Sequence, residues 1–325
     1  MITLDLRRLR MLRELSERGT LGAVATALGY SPSAVSQQLR VLEKEVGERL
    51  LDKAGRGVRL TDAGHLLARH AGVLLGAAEA AVADLSGLRG EVRGTVRAGG
   101  LQSVVRRLLI PAVGRMMAEH PQVRVEVSEL ELEQALPDLR LGAVDLVVSD
   151  EYDGHPRPRP AGLQFTLLLE EPLVLVLPPA HPLLAVEAPI ALAALRDEAW
   201  VASAEGTGHH TMVAGTCRSL GGYEPDVRHR SNDAEIQLDL VRTAGAVGLL
   251  PTLALPPGGS GVAVRDVAGA RLRRRLVVVT RAGDGVPPPA LSAFLAAVTY
   301  RAARLADDGG PQPGPTAAIG PRSLR

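Results

Sequence analysis

The chain has 325 residues, a formal net charge of +1 and 22% charged residues. This length allows two or three domains with sizeable cores, and the near-neutral charge excludes a protein that binds nucleic acid through its overall charge. The single cysteine, Cys217, excludes an internal disulfide framework and a cysteine-cage zinc site. Residues 1–60, however, contain eleven Lys and Arg against seven Asp and Glu, a local positive excess of the kind that phosphate contact requires.

The N-terminal segment contains no apolar stretch long enough for a signal peptide, and no later apolar run reaches the length of a transmembrane helix. We therefore expect a soluble, cytoplasmic protein with no membrane partner. Leu6, Leu9, Leu12 and Leu15 form a helical stripe that ends at Gly19, which predicts a first helix.

Residues 21–40 predict two short helices joined by a tight turn. Gly29 supplies the backbone freedom that the turn requires. Ser31 stands at the N-cap position of the second helix and Pro32 at its first position. Val35 and Leu39 are four residues apart and face inward. This spacing favours a helix-turn-helix; the alternative is a helical hairpin in a core.

The outward face of the second helix offers hydrogen-bonding groups suited to base edges and phosphates. Residues 48–64 then predict a two-stranded wing with a basic tip, which is placed to reach a phosphate or the minor groove. The alternative for the tip is a solvated turn. The predicted DNA-binding residues are Pro32, Ser33, Ser36, Gln37, Arg40, Lys53 and Arg56.

From Thr61 the sequence becomes strongly helical, and apolar residues recur at alternating steps of four and three. Such a heptad seam is typical of a coiled coil, so we predict a dimerisation helix; the alternative is a helix packed on its own chain. Gly72 and Gly76 lie off the seam and each weaken the helix by about 1 kcal/mol. The predicted dimerisation residues are Leu67, Ala71, Leu74, Ala78, Ala81 and Leu85.

Residues 4–64 resemble the N-terminal domain of the LysR-type transcriptional regulators. The resemblance rests on LRRLRMLRELSERGTL, AVATALGYSPSAVSQQLRVLEKEVGERLL and GRGVRLTDAG. It departs from the family pattern at Gln37, where the family usually has Arg, and glutamine favours adenine. The resemblance implies promoter DNA, a small-molecule effector and a second copy of the chain (as a dimer or tetramer) as partners, with no cofactor.

The remainder alternates predicted strands and helices, which indicates a parallel sheet with helices on its faces. Two α/β lobes linked by two crossings resemble the effector domain of the same family, a type 2 periplasmic-binding-protein-like fold. We predict a winged helix-turn-helix domain, otherwise all-α, over 1–61, a linker and dimerisation helix over 62–90, an effector-binding domain over 91–305 and a disordered tail over 306–325. Lobe I is expected over 91–165 and 271–305, and lobe II over 166–270.

Open α/β sheets bind ligands at the carboxyl ends of their strands. The resemblance implies that the effector binds against the loops at these strand ends. The alternative for each serine in these loops is a structural role as a helix cap or turn residue. Helix N-termini favour an anionic effector, whereas Glu205 and Asp233 oppose one. Val104 and Val105 suggest a partly apolar pocket. The predicted effector-binding residues are Gly100, Gln102, Ser103, Ser149, Ser203, Thr207 and Asn232.

Other patterns favour ordinary roles. The adjacent His209 and His210 predict a surface pair and no metal site. Cys217 predicts a buried or partly buried thiol in a helix, and residues 271–275 predict a solvated strand edge. An enzyme is disfavoured because the sequence contains no nucleophile elbow, P-loop or dinucleotide-binding motif. A solute-binding protein is the other alternative, which the helix-turn-helix pattern opposes.

Overall fold

The computed structural model describes residues 4–54, 57–87, 92–256, 261–282, 287–307 and 312–313. The N-terminal head contains three helices and a two-stranded antiparallel wing, followed by a long linker helix. These elements are α1 (Leu6–Arg18), α2 (Leu21–Leu28), α3 (Pro32–Val46), β1 (Leu51–Ala54), β2 (Gly57–Leu60) and α4 (Asp62–Gly87).

The helix boundaries in the head follow the predicted capping residues. The Ser31 hydroxyl accepts a hydrogen bond from the Ala34 N–H at 3.2 Å, with Pro32 in the first turn of α3. Gly29 ends α2 at a φ of 71°, in the left-handed region that favours glycine. The inward residues of all three helices share one apolar core, although Leu6 lies outside it and is exposed. The fully buried members of this core include Leu9, Leu12, Val24, Val35, Leu39, Leu42 and Ala71.

The start of the wing is held by a carboxylate from α3. One oxygen of Glu43, Oε1, accepts hydrogen bonds from the N–H groups of Leu50 at 2.9 Å and Leu51 at 3.1 Å. The Thr61 hydroxyl donates to the Arg49 carbonyl at 2.7 Å and accepts from the Gly64 N–H at 3.0 Å. Helix α3, the wing and helix α4 are therefore fixed to one another by side chains as well as by the core.

The predicted coiled-coil seam is divided in the structure. Ala71 is fully buried in the head core and Leu67 packs against it, whereas Leu74, Ala81 and Leu85 are exposed. The heptad pattern overlaps the face of α4 that packs on its own chain. The period of the apolar residues alone cannot distinguish packing against a partner helix from packing within the chain. The prediction is therefore wrong for Ala71, whose side chain has no surface to offer a partner.

Beyond the linker, lobe I contains a sheet flanked by helices. Its parallel strands lie in the order β4 (Val123–Glu129), β3 (Gly94–Gly100), β5 (Leu146–Tyr152), and a later strand, β11 (Arg273–Arg281), pairs antiparallel with β5. The core between this sheet and its helices includes Leu108, Leu276, Phe294 and Val298. The elements are β3 (Gly94–Gly100), α5 (Gln102–Val104), α6 (Ile110–Glu119), β4 (Val123–Glu129), α7 (Leu132–Leu141), β5 (Leu146–Tyr152), β11 (Arg273–Arg281) and α10 (Pro289–Asp307).

A wide helical turn at Val105–Leu109 joins α5 to α6, so that residues 102–119 run as one helix. Pro111 has no N–H to donate into the preceding turn and its ring crowds the Arg107 carbonyl. The Arg301 guanidinium instead donates to that carbonyl at 3.1 Å. The proline is thus accommodated by a local change of helical pitch.

Lobe II is reached and left through two long strands. Residues 163–177 form a single long strand, β6 (Leu163–Leu177). Its first part pairs with β11 and its last part with β9 (Gly248–Pro251) and β10 (Ala263–Arg265), so the strand belongs to both lobes. The other elements of lobe II are β7 (Ala199–Ala202), α8 (Gly208–Thr216), β8 (Asp226–Arg230), α9 (Ala234–Ala244), β9 (Gly248–Pro251) and β10 (Ala263–Arg265).

The C-terminal region is only partly a tail. Residues 306–307 belong to α10, and β12 (Gln312–Pro313) pairs with β6 at Glu170 and Leu169, so the predicted disorder is wrong for these positions. Residues 308–311 and 314–325 of the predicted tail lie outside the described residues.

Candidate functional site

The first candidate surface is the outer face of α3. Val35, Leu39 and Leu42 are fully buried on its inner face. The opposite face at the helix start has only polar or small side chains: Pro32, Ser33, Gln37 and Arg40 are exposed and Ser36 is half-buried. The structure therefore places all five predicted residues of α3 on one accessible surface, where hydroxyl, amide and guanidinium groups can meet base edges and phosphates.

The wing carries a further predicted DNA-binding residue on β1. Lys53 is exposed on β1 and is opposite Val58 of β2. Arg56, the other predicted basic residue of the wing, lies outside the described residues. Gln38, adjacent to Gln37, turns the other way and accepts a hydrogen bond from Arg8 Nε at 2.9 Å. One glutamine is thus available to a ligand and its neighbour is engaged with α1.

The second candidate site is a narrow cleft of about 110 Å³ between the two lobes. It is lined by Gln102 and Ser103 from lobe I and by Ser203, Thr207 and Asn232 from lobe II. Five of the seven predicted effector-binding residues therefore meet at one cleft. Gly100 and Ser149 do not line it: both are buried, Gly100 at the end of β3 and Ser149 in the middle of β5. Val104 and Val105 also do not line it, because they pack in the core of lobe I.

A buried ion pair that was not predicted lies at the base of the cleft. Arg274 lines the cleft, and its Nη2 lies 2.6 Å from Glu171 Oε1. The side chains are 4% and 0% exposed. Glu171 also accepts from the Leu253 N–H at 2.6 Å, and Arg274 donates to the Ser103 hydroxyl at 3.2 Å. The prediction of a solvated edge is wrong for Arg274, because β11 lies between β5 and β6 and alternate side chains point inward.

The strand register gathers further buried polar groups beside Arg274. Tyr152 stands opposite Arg274 on β5, and its hydroxyl donates to Asp150 Oδ2 at 2.7 Å. The other oxygen of Asp150 accepts from Arg157 Nη2 at 2.7 Å. Burial raises the pKa of the Tyr152 hydroxyl well above its usual value, and the negative charge of Asp150 acts in the same direction. Tyr152 therefore remains a neutral donor.

Glu131, immediately before α7, lines the same cleft. Burial raises the pKa of its carboxyl group to about 7, and the charge of Asp150 is the next largest cause. Glu133 and Glu129 also raise this pKa, and Arg157 lowers it. The carboxyl group of Glu131 can consequently change its protonation state near neutral pH.

His209 connects the strands and helix α8 of lobe II. Its Nε2 lies 2.8 Å from the Leu249 carbonyl and must donate, so Nδ1 accepts from the Ser203 N–H at 3.1 Å. Burial lowers the pKa of the imidazole and keeps it neutral. The predicted surface pair is therefore wrong for His209, which is buried. Within the described residues, no group of three or more His, Cys, Asp or Glu side chains is arranged to hold a metal ion.

Two side-chain contacts cross the mouth of the cleft. Gln102 Nε2 of lobe I donates to Asp233 Oδ1 of lobe II at 3.1 Å, and Arg106 Nη1 lies 3.0 Å from Glu235 Oε1. Asp233 also caps α9 by accepting from the Glu235 N–H at 2.8 Å. These two contacts therefore hold the lobes together next to the cleft.

Comparisons with known families identify the two domains that carry these sites. A model described as "Bacterial regulatory helix-turn-helix protein, lysR family" matches residues 6–65. A second, "LysR substrate binding domain", matches residues 89–303, more than half of the chain. The chain belongs to the LysR-type transcriptional regulators. It combines the DNA-binding domain of that family with its effector-binding domain, so the enzymatic and solute-binding alternatives are not favoured.

Relatives within the LysR-type regulators share much of the chain. A probable hydrogen peroxide-inducible genes activator of Mycobacterium avium is 29% identical over 279 residues, 85% of this chain and 88% of the relative. The RuBisCO operon transcriptional regulator of Allochromatium vinosum is 28% identical over 305 residues, 93% of this chain and 97% of the relative. Full-length CbnR in complex with its target DNA shares the fold, with a TM-score of 0.68 at 21% identity over 92% of this chain and 100% of that chain.

No helix in the described ranges combines the length and apolar character needed to cross a membrane.

Proposed function

We propose that this LysR-type regulator binds promoter DNA as a homo-oligomer, dimer or tetramer, through α3 and the wing. The observation that supports this most directly is the polar, exposed face at the start of α3, opposite a fully buried face. Ser33, Ser36 and Gln37 approach base edges, and Arg40, Lys53 and Arg56 contact phosphates or the minor groove. CbnR, whose fold is similar, has been captured on its target DNA. Binding to chromosomal DNA places the protein in the cytoplasm.

We further propose that a small molecule in the interlobe cleft alters this DNA binding. A ligand acts only through its different affinity for two arrangements of the protein. The contacts of Gln102 with Asp233 and of Arg106 with Glu235 define one arrangement, with the lobes joined. Helix α4 carries the difference to the head, because its first half packs in the head core and Gly72 and Gly76 approach residues 142–143 of lobe I.

A footprint of the purified protein on the DNA that flanks its own gene, at stated salt, tests the DNA-binding proposal. Protection of an interrupted palindrome, with half-sites spaced by whole helical turns, is the expected result for two symmetric heads. The same DNA with one half-site scrambled serves as the control and should lose tight binding. A folded, oligomeric protein that protects neither this DNA nor a random genomic library at low salt would contradict the proposal.

A further inference from the structure

The lining of the cleft contains more negative than positive charge. Carboxylates of Glu129, Glu131 and Asp150 line it, against the guanidinium of Arg274. The two deeply buried charges are already compensated, since Arg274 pairs with Glu171 and Asp150 with Arg157. The charge left for a ligand is therefore that of Glu129 and Glu131.

Neither of these two carboxylates is paired within the described part of the chain. Glu129 is exposed at the end of β4, and Glu131 is half-buried at the start of α7. The positive groups nearest the cleft are engaged: Arg157 bonds to Asp150 and Glu133, and Arg106 pairs with Glu235. A cation from outside the protein is the partner that this lobe I wall lacks, and an anion would be repelled.

On the lobe II side of the cleft, a buried hydrogen-bond acceptor lacks a donor, which is a second and independent observation. Gln237 lines the cleft and is only 2% exposed. Its Nε2 donates to the Ser231 carbonyl at 2.5 Å, which fixes the orientation of the amide because that carbonyl can only accept. Its Oε1 is buried without a hydrogen-bond partner in the described structure. A buried acceptor left in this way costs free energy until a donor reaches it.

We propose that the cleft binds a small aliphatic amine, whose ammonium group pairs with Glu131 and whose further N–H or O–H group donates to Gln237 Oε1. This inference rests on the proposed function in taking the cleft as the effector site. It names a cationic effector, where helix N-termini alone favoured an anionic one. Because Glu131 belongs to lobe I and Gln237 to lobe II, the amine bridges the lobes and favours one arrangement of them.

Amine binding depends on pH in a defined direction. An ammonium group pairs with the ionised form of Glu131, whose pKa is about 7 in the free protein. Burial, Asp150, Glu133 and Glu129 raise this pKa, and Arg157 lowers it. Affinity therefore increases as the pH rises from about 6 to about 8, and binding near neutral pH releases protons. Calorimetry in buffers of different ionisation enthalpy measures that release.

The test is calorimetric titration of the full-length protein at pH 7.5 with putrescine and ethanolamine, and with succinate as a charge-reversed probe. We expect at least one amine to bind and succinate not to bind. Glu131→Gln should weaken amine binding by about 10- to 100-fold, as expected for the loss of a hydrogen bond to a charged group, and should remove the proton release. Gln237→Leu removes the acceptor Oε1, together with the donor to the Ser231 carbonyl, and should weaken binding by a smaller factor.

Glu187→Gln is the matched control, because it removes one carboxylate at an exposed position of lobe II that does not line the cleft. It should bind amine as the unaltered protein does. Binding of succinate, binding of neither amine, or amine binding that survives Glu131→Gln would each overturn the inference. In all of these cases a normal DNA footprint leaves the proposed DNA-binding function standing, whereas a lost footprint with intact amine binding would refute that function alone.

Discussion

The DNA-binding surface and the interlobe cleft are built in opposite ways. The surface on α3 takes its side chains from one short stretch, residues 32–40, and keeps them exposed over an apolar core. The cleft takes its groups from segments far apart in the chain, including Gln102, Glu131, Asp150, Gln237 and Arg274, and buries most of them. Changes on the surface should therefore alter recognition with little effect on folding, whereas changes in the cleft should alter stability as well.

The largest expected effect is at the buried ion pair. Arg274→Ala leaves Glu171, whose side chain is 0% exposed, without its counter-ion, and should lower the free energy of unfolding by about 3–5 kcal/mol. Arg273→Ala on the same strand is the control: Arg273 pairs with Glu170 at 3.1 Å near the surface, and its loss should cost at most about 1 kcal/mol. Denaturant unfolding measures both. Equal losses of unfolding free energy would show that the buried pair contributes no more to stability than the surface pair.

Dimerisation through the exposed part of α4 is the next largest effect. Leu74→Asp should convert the oligomer to a monomer in sedimentation experiments and weaken operator binding by about 100-fold or more, because two linked heads bind far more tightly than one. Leu220→Asp is matched in exposure, 43% against 39% for Leu74, and should change neither property. A monomer that still binds its operator tightly would contradict the proposal that the protein binds DNA as an oligomer.

Adjacent glutamines on α3 allow a sharper test of recognition. Gln37→Ala should relax the preference at one base pair, with a loss of about 1–3 kcal/mol of discrimination. Gln38→Ala removes the same side chain from a position that contacts Arg8 and should leave base preference intact. Binding to a randomised operator pool measures both variants. A uniform loss over all sequences for Gln37→Ala would assign that residue to the DNA backbone or to folding.

The smallest expected effect is at the wing. Lys53→Ala should weaken binding to every sequence alike and reduce the slope of log affinity against log salt by about one. Arg218→Ala, an exposed cation of lobe II, should leave the slope unchanged. A change in base preference without a change in slope would mean that Lys53 does not contact a phosphate.

The sequence predicted the head well because its signals are local. The caps at Ser31 and Gly29, and the inward spacing of Val35 and Leu39, depend only on neighbours within a few residues. The wing contact of Glu43 was missed, because a carboxylate on a helix does not show which backbone N–H groups it will reach.

The cleft was predicted only in part for the same reason. The expectation that ligands bind at the loops after strand ends correctly placed five residues at the cleft: Gln102, Ser103, Ser203, Thr207 and Asn232. The sequence did not show which arginine of the run at 271–275 is buried. The burial of Arg274 follows from the position of β11 between β5 and β6, which is a long-range property. Alternation could have suggested it: Asp150 and Tyr152 share one face of β5, and Arg274 stands opposite Tyr152.

The buried thiol of lobe II has a practical consequence. Cys217 is 0% exposed among Trp200, Met212 and Tyr223, and burial raises the pKa of its thiol to about 11. A thiol in this state reacts with alkylating reagents only after the surrounding core opens. Because the sequence contains no second cysteine, the rate of alkylation directly measures how often the core of lobe II opens. The unaltered protein therefore contains its own probe for following how ligands or DNA change the stability of that lobe.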